Sequence, residues 1–159
     1  MQWRIGAYSL NLNYRIVNLL DIATVGRARG KEYPNGTIYI QISAARRDGL
    51  SQFKMLKQSA VLESKYAVVI PNQYIVPEYL ICALERSGKE WRHKYVGNNI
   101  NIQIDAFKWL KLQYHPDIEA QKFVVNIMQA IDNEIASVAN TIQQEKELKR
   151  YMIANMFPG

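Results

Sequence analysis

Arg27-x-Arg29-x-Lys31, followed by Tyr33 and Asn35, sets cationic and polar side chains at alternate positions. In an extended segment such residues project to one side, about 6.6 Å apart. Arg46, Arg47, Lys54 and Lys57 extend the pattern through 44–59, so residues 15–60 hold eight Lys/Arg against three Asp/Glu. The chemistry this supports is recognition of a polyanion with readable edges. Arginine can fork onto guanine, Asn or Gln onto adenine, and lysine can meet phosphates. Asn35, Gln41, Ser43, Gln52 and Gln58 supply polar readers beside the charges. Tyr33 suits either stacking on a sugar or base, or packing its own turn. The bland alternative is a solvated basic face with no ligand.

Other chemistries have thinner support. Asp48 with Glu63-Ser64-Lys65 mimics the carboxylates and lysine of a small Mg²⁺ nuclease, but so short a motif arises by chance. His93 and His115 are too few for a zinc site or an obvious acid–base pair. Cys82 is the single cysteine, which excludes an internal disulfide and reads as a small buried residue. The chain has no P-loop, nucleophile elbow or glycine-rich dinucleotide loop, and no Asn/Asp-Pro-Pro-aromatic motif of amino-methyltransferases. No metal or cofactor is expected, and catalysis falls to another chain.

The elements that must position these residues are short. Residues 14–25 open as a strand and pass through a helical turn near Leu20-Asp21-Ile22, and 26–36 form a loop by their glycines and Pro-Asn-Gly turn. Thr37–Ser43 alternates strictly, with Ile38, Ile40 and Ile42 facing one way and Tyr39 and Gln41 the other, which predicts a half-buried strand. Residues 44–59 read as a polar loop, and 65–71 as a strand stopped by Pro71. Pro77 opens a helix through Arg86, with Leu80, Ile81 and Leu84 on one face and Gly88 ending it. Short strands at 91–96 and 100–104 flank a Gly97-Asn98-Asn99 turn, before a last apolar segment at 107–112.

After Pro116 the texture changes. Asp117 is placed to cap a helix, with Glu119 in its first turn. Val124, Met128, Ile131, Ile135, Val138 and Ile142 then recur in steps of four and three, the seam of a coiled coil. The repeat slips at Glu145, so Leu148, Tyr151, Met152 and Phe157 belong to a different contact. A helix over 117–152 would run roughly 54 Å, long for so small a domain. Its apolar seam fits a partner helix; the alternative is a helix folded over its own sheet. The fold class is therefore α+β: a mixed domain over 1–115, then a long helix and tail over 116–159.

Charge divides along the same line. Residues 1–116 carry 16 Lys/Arg against 8 Asp/Glu, whereas 117–152 carry four against six. A basic body with a mildly acidic helix points to a polyanion on the body only. With 48% apolar and 21% charged residues a packed core is expected. No apolar run nears the roughly 18 residues of a membrane span, and the N-terminus lacks a signal-peptide core. A cytoplasmic protein without membrane contact is expected.

The order of these features resembles the specificity (S) subunit of type I restriction-modification systems, and more closely one half of it. The resemblance lies in LLDIATVGRARGKEYPNGTIYIQISA, SKYAVVIPN…IVPEYLICAL, GNNINIQIDAFKWLKLQYHPDIEAQKFVVNIMQAIDNEI and ELKRYMIANMF. Within these, a Pro, a Gln about five residues on, and Asp132 and Ile135 in an Ile-rich helix carry the likeness. Residues 1–13 have no counterpart, and Leu20 stands where a glycine is frequent. The resemblance implies a target-recognition domain that reads DNA bases, and a conserved helix that pairs antiparallel as a spacer. It further implies docking with methyltransferase (M) and restriction (R) subunits. Because one domain and one helix stand where the family carries two of each, a half-subunit is expected. It would dimerise through its helix and read a bipartite palindrome in double-stranded DNA, or work with another S chain. An inhibitory protein that captures subunits without a DNA target is the alternative of another class.

Overall fold

In the computed structural model, which describes residues 2–5, 8–44, 52–157 and 159, short elements follow one another closely. β1 (Gln2–Ile5) pairs antiparallel with β2 (Tyr8–Asn11). β3 (Arg15–Asn18) enters a single helical turn, α1 (Leu19–Ile22), which gives way to β4 (Ala23–Arg27). The Asn18 N–H donates to the Asp21 carboxylate at 3.1 Å, satisfying a donor at the turn's free end. Next come β5 (Lys31–Tyr33), β6 (Ile38–Gln41), β7 (Lys54–Met55), β8 (Ala60–Leu62) and β9 (Tyr66–Pro71). The chain continues through α2 (Pro77–Trp91), a π-helical turn (Arg92–Val96), a 3-10 segment (Ile104–Trp109), β10 (Lys111–Tyr114) and α3 (Ile118–Met156). The class is α+β, as the sequence implies.

Four strands form the main antiparallel sheet in the order β4-β9-β6-β7. The alternation of β6 is realised: Ile38, Ile40 and the following Ile42 are buried, with Tyr39 and Gln41 on the reverse face. Ala67 and Val69 of β9 join them, covered by Leu80 and Leu84 of α2 and by Phe107 and Leu110. On the reverse face β5 and β8 pair separately and enclose a small cluster of Ala28, Tyr33, Leu56, Leu62 and Val68. β9 is thus buried on both faces, which is why it reads as a continuous apolar run and not as an alternation.

Several local expectations are corrected. Gly88 does not end α2, which runs on to Trp91. A Cβ at Gly88 would stand 3.0 Å from the Phe53 ring, so the glycine is there for close packing and not for termination. Residues 91–96 are helical and not a strand: Trp91 completes the buried stripe Leu80, Leu84, Gly88, and its indole N–H donates to Ala106 O at 2.8 Å. The turn to positive φ falls instead at Gly97, at 59°. Residues 100–104 make no strand; the Ile102 N–H bonds Ile42 O at 2.8 Å. Within 44–59, Phe53 and Leu56 are buried around the two-residue strand β7, so only part of that stretch is loop.

The chain divides into two compact units, residues 1–125 and 126–159. The first takes in the beginning of α3, beyond the boundary drawn at 115/116. Asp117 caps the helix as expected, its carboxylate accepting the Glu119 N–H at 2.9 Å. One turn on, Gln121 is 0% exposed. Its Oε1 accepts the Val76 N–H at 2.9 Å, and its Nε2 donates to His115 O at 2.9 Å and Tyr74 O at 3.4 Å. Tyr79 closes the same corner: its hydroxyl lies 2.7 Å from His115 Nδ1 and 3.1 Å from Gln113 O, and it accepts the His115 N–H at 3.0 Å. In the second unit α3 continues to Met156.

Replacing Gln121 by Leu should lower the unfolding free energy by at least about 2 kcal/mol, because buried backbone groups lose their partners. An unchanged urea midpoint would show that the amide contributes nothing net. Burial also holds His115 below its ordinary pKa of 6.5. A proton therefore binds the unfolded chain more tightly, so this stabilisation is whole above pH 6.5 and fades as pH falls through the folded value. The stability gap between the parent and His115→Gln should shrink on acidification, read from urea midpoints across that window; a constant gap would remove His115 as the titrating group.

Candidate nucleic-acid interface

The main sheet has one face covered by α2 and the 104–109 segment and one face only partly covered by β5 and β8. On the latter, Tyr39 of β6 lies opposite Lys54 of β7, and Gln41 lies opposite Tyr66 of β9. Tyr39 and Tyr66 meet edge to face at 5.3 Å, and the Lys65 ammonium sits 5.3 Å over the Tyr66 ring. Lys65 also pairs with Glu63 at 3.1 Å; the hydrogen bond and charge of that carboxylate raise its pKa, so it stays an ammonium. The result is an aromatic floor carrying lysine.

Five of the sequence-predicted cations, Arg27, Arg29, Lys31, Lys54 and Lys57, are exposed on the elements that form or border this face. Arg27 ends β4, exposed, with its guanidinium 3.4 Å from Ser64 O. Arg29 is exposed, while its neighbour Ala28 is buried and donates its N–H to Tyr66 O at 2.9 Å. Gly30 then turns the chain at φ 67°, and Lys31 opens β5. Asn35 is exposed in the turn that Gly36 closes at φ 85°, a conformation that suits glycine. Lys54 and Lys57 are exposed on either side of buried Leu56. Arg46 and Arg47 lie outside the described residues, as does Asp48 of the nuclease reading; its other members, Glu63 and Lys65, are paired with each other.

Three candidates change character. Tyr33 is 4% exposed, so its ring has no face for a base; it packs the small cluster, and its hydroxyl accepts the Arg29 N–H at 3.3 Å. Of the two roles expected for Tyr33, the structure displays turn packing. Gln41 uses its Nε2 on Ser43 O at 3.0 Å and Ala44 O at 3.4 Å, and forking onto adenine would require releasing that turn. Ser43 is half-buried, with its N–H on Lys65 O at 3.2 Å. Lys65 with Tyr39 and Tyr66 was not among the DNA-contact candidates of the sequence. The signal for it was the Tyr39/Gln41 alternation, which needed only a cross-strand partner.

On α3, Val124 is half-buried against the body's core and so is not a free member of the expected seam. The remaining five, Met128, Ile131, Ile135, Val138 and Ile142, are all exposed, Ile131 at 46% and Ile135 at 62%. Among the described residues no group of three or more His, Cys, Asp or Glu could hold a metal ion, and no helix is long and apolar enough to cross a membrane.

No family model matches the sequence, and no curated protein matches it. Solved structures do. The type I restriction-modification S subunit from M. genitalium superposes with a TM-score of 0.64 over 93% of this chain at 13% identity. The HsdS subunit from Thermoanaerobacter tengcongensis does so with 0.65 over 96% at 15% identity. A chain from a structure describing complex assembly and conformational transition of the type I R-M system gives 0.67 over 93% at 15% identity. In each case 46% of the other chain is covered. This chain therefore has the fold of type I restriction-modification S subunits, over just under half of their length.

Proposed function

We propose that this chain is a DNA-specificity subunit of a type I restriction-modification system. The observation that carries the reading is the S-subunit fold over more than nine-tenths of the chain, 93–96%. The body, residues 1–115 with the start of α3, reads one half-site of double-stranded DNA. The loops flanking β6 do the reading, with Arg27, Arg29, Lys31, Arg46, Arg47, Lys54 and Lys57 on phosphates or guanine edges and Asn35, Gln41 and Ser43 on base edges. The chain itself is non-catalytic, works in the cytoplasm, and recruits M and R subunits for methylation and cleavage.

The helix sets the spacing by pairing with a second copy. The five exposed seam residues alternate in steps of three and four. An antiparallel pair centred between Ile131 and Ile135 therefore puts Ile131 against Ile135 and Met128 against Val138. Each aliphatic side chain fully buried this way stabilises by about 1.5–3 kcal/mol. Only the seam as a whole, and no single layer, can offset an association cost of about 4–15 kcal/mol. Two twofold-related bodies would then meet a bipartite palindrome.

Arg27→Glu with Arg29→Glu should abolish specific duplex binding while the oligomer stays intact, and parent affinity should fall steeply with salt as counterions are released. Unchanged binding by filter or anisotropy assay would take these loops off the reading surface, and a flat salt dependence would argue against phosphate contacts. Ile135→Asp sets a carboxylate against Ile131 of the other copy in a desolvated seam, so light scattering should find monomers; a persisting dimer places the interface elsewhere.

A further inference from the structure

On the covered side of the sheet, away from the Tyr39–Tyr66 floor, two consecutive segments build a second aromatic surface. Tyr95 from the π-helical turn and Trp109 from the end of the 3-10 segment lie nearly parallel, 10° apart in plane, with centroids at 6.0 Å. They are 40% and 51% exposed, whereas their neighbours Val96 and Leu110 are buried and hold the backbone in place. Lys94 and Lys108 set their ammonium groups 5.3 Å over the Tyr95 and Trp109 rings respectively. Among the described residues neither ammonium has a carboxylate partner.

From this geometry we infer that Tyr95 and Trp109 form a stacking shelf for unpaired bases of a single-stranded nucleic acid, with Lys94 and Lys108 meeting its phosphates. The rings select the ligand. In a duplex every base face is covered by its neighbours, so two flat, exposed rings find only sugar and phosphate there. An unpaired strand offers planar faces that stack on Tyr or Trp without regard to sequence. Large exposed aromatic rings are costly to leave in water, and lysines beside them match the charge that accompanies every base. An acidic protein segment would satisfy the lysines but bring no planar face to the rings. The inference extends the duplex-reading proposal to a second strand state and rests on its own observation.

The test titrates the full chain with labelled oligo(dT), a labelled mixed-sequence duplex and a labelled poly-Glu peptide. The parent should bind oligo(dT) with a marked salt dependence. Combining Tyr95→Ala with Trp109→Ala should weaken that binding by about tenfold or more while leaving the duplex arm unchanged. Trp109→Phe, which keeps a ring, should retain most of it. Arg27→Glu with Arg29→Glu should do the converse, weakening the duplex arm alone. Equal oligo(dT) affinity in parent and double-alanine protein would overturn the inference, as would equal weakening of both nucleic-acid arms. So would Trp109-dependent binding of poly-Glu without oligo(dT) binding, which would assign the shelf to an acidic protein. Failure of the duplex arm alone would sink the function proposed above and leave this inference standing.

Discussion

The fully buried amide of Gln121 is the interaction on which the corner between sheet, α2 and α3 depends. A helix that starts against a domain brings backbone groups of the preceding loops into a place water cannot reach, and those groups need partners. Gln121 supplies an acceptor to Val76 and donors to His115 and Tyr74, and so joins the entry to α2, the end of β10 and the first turn of α3. No aliphatic side chain of that volume can do this. The Pro116-to-Gln121 spacing noticed in the sequence has this physical content. Proline stops β10, Asp117 caps the helix, and one turn later the glutamine is placed to reach back.

From that corner the sheet acquires its two unlike faces. β9 is the hinge of the design, because Ala67 and Val69 seal the main core while Val68 belongs to the smaller cluster. The smaller cluster covers only part of the second face. What it leaves is Tyr39, Gln41, Tyr66 and Lys54, a surface neither apolar enough to form a core nor polar enough to be merely wet. Gly30 and Gly36 adopt positive φ on either side of β5, and Arg29, Lys31 and Asn35 are carried on that bent loop. A paired backbone under exposed cationic tips is the arrangement that lets a side chain be aimed at little entropic cost.

Much of this was legible in the sequence where one residue decides the local outcome. Strict alternation gave β6 its faces, Pro77 opened α2, and Asp117 capped α3, because each acts through its own backbone or its nearest neighbours. What escaped was settled across the chain. Gly88 looks like a helix end until Phe53, thirty-five positions earlier, is found where its Cβ would be. Residues 91–96 are rich in β-compatible side chains, yet Trp91 is spent completing a helical stripe. β7 is two residues in a polar stretch, recognisable only by pairing with β6. The site divides the same way. The cations could be counted from the sequence, but the burial of Tyr33, the engagement of Gln41 and the meeting of Tyr95 with Trp109 required the fold.

In the function proposed above, charge separates what would hold two copies together from what would hold them to DNA. Residues 1–116 carry twice as many Lys/Arg as Asp/Glu, 16 against 8, so two such bodies brought near each other repel. In the pairing proposed here, attraction between copies must come from the apolar seam of α3, because the charges on the bodies oppose it. Salt acts on the two parts in opposite senses. It would screen the repulsion between bodies and leave burial of Ile131, Ile135 and Val138 in a paired seam intact, while it would remove the counterion-release term of phosphate binding. A polyanion lying across both bodies turns the same repulsion to advantage, since it neutralises them together. The mildly acidic helix, four Lys/Arg against six Asp/Glu over 117–152, stays out of that competition.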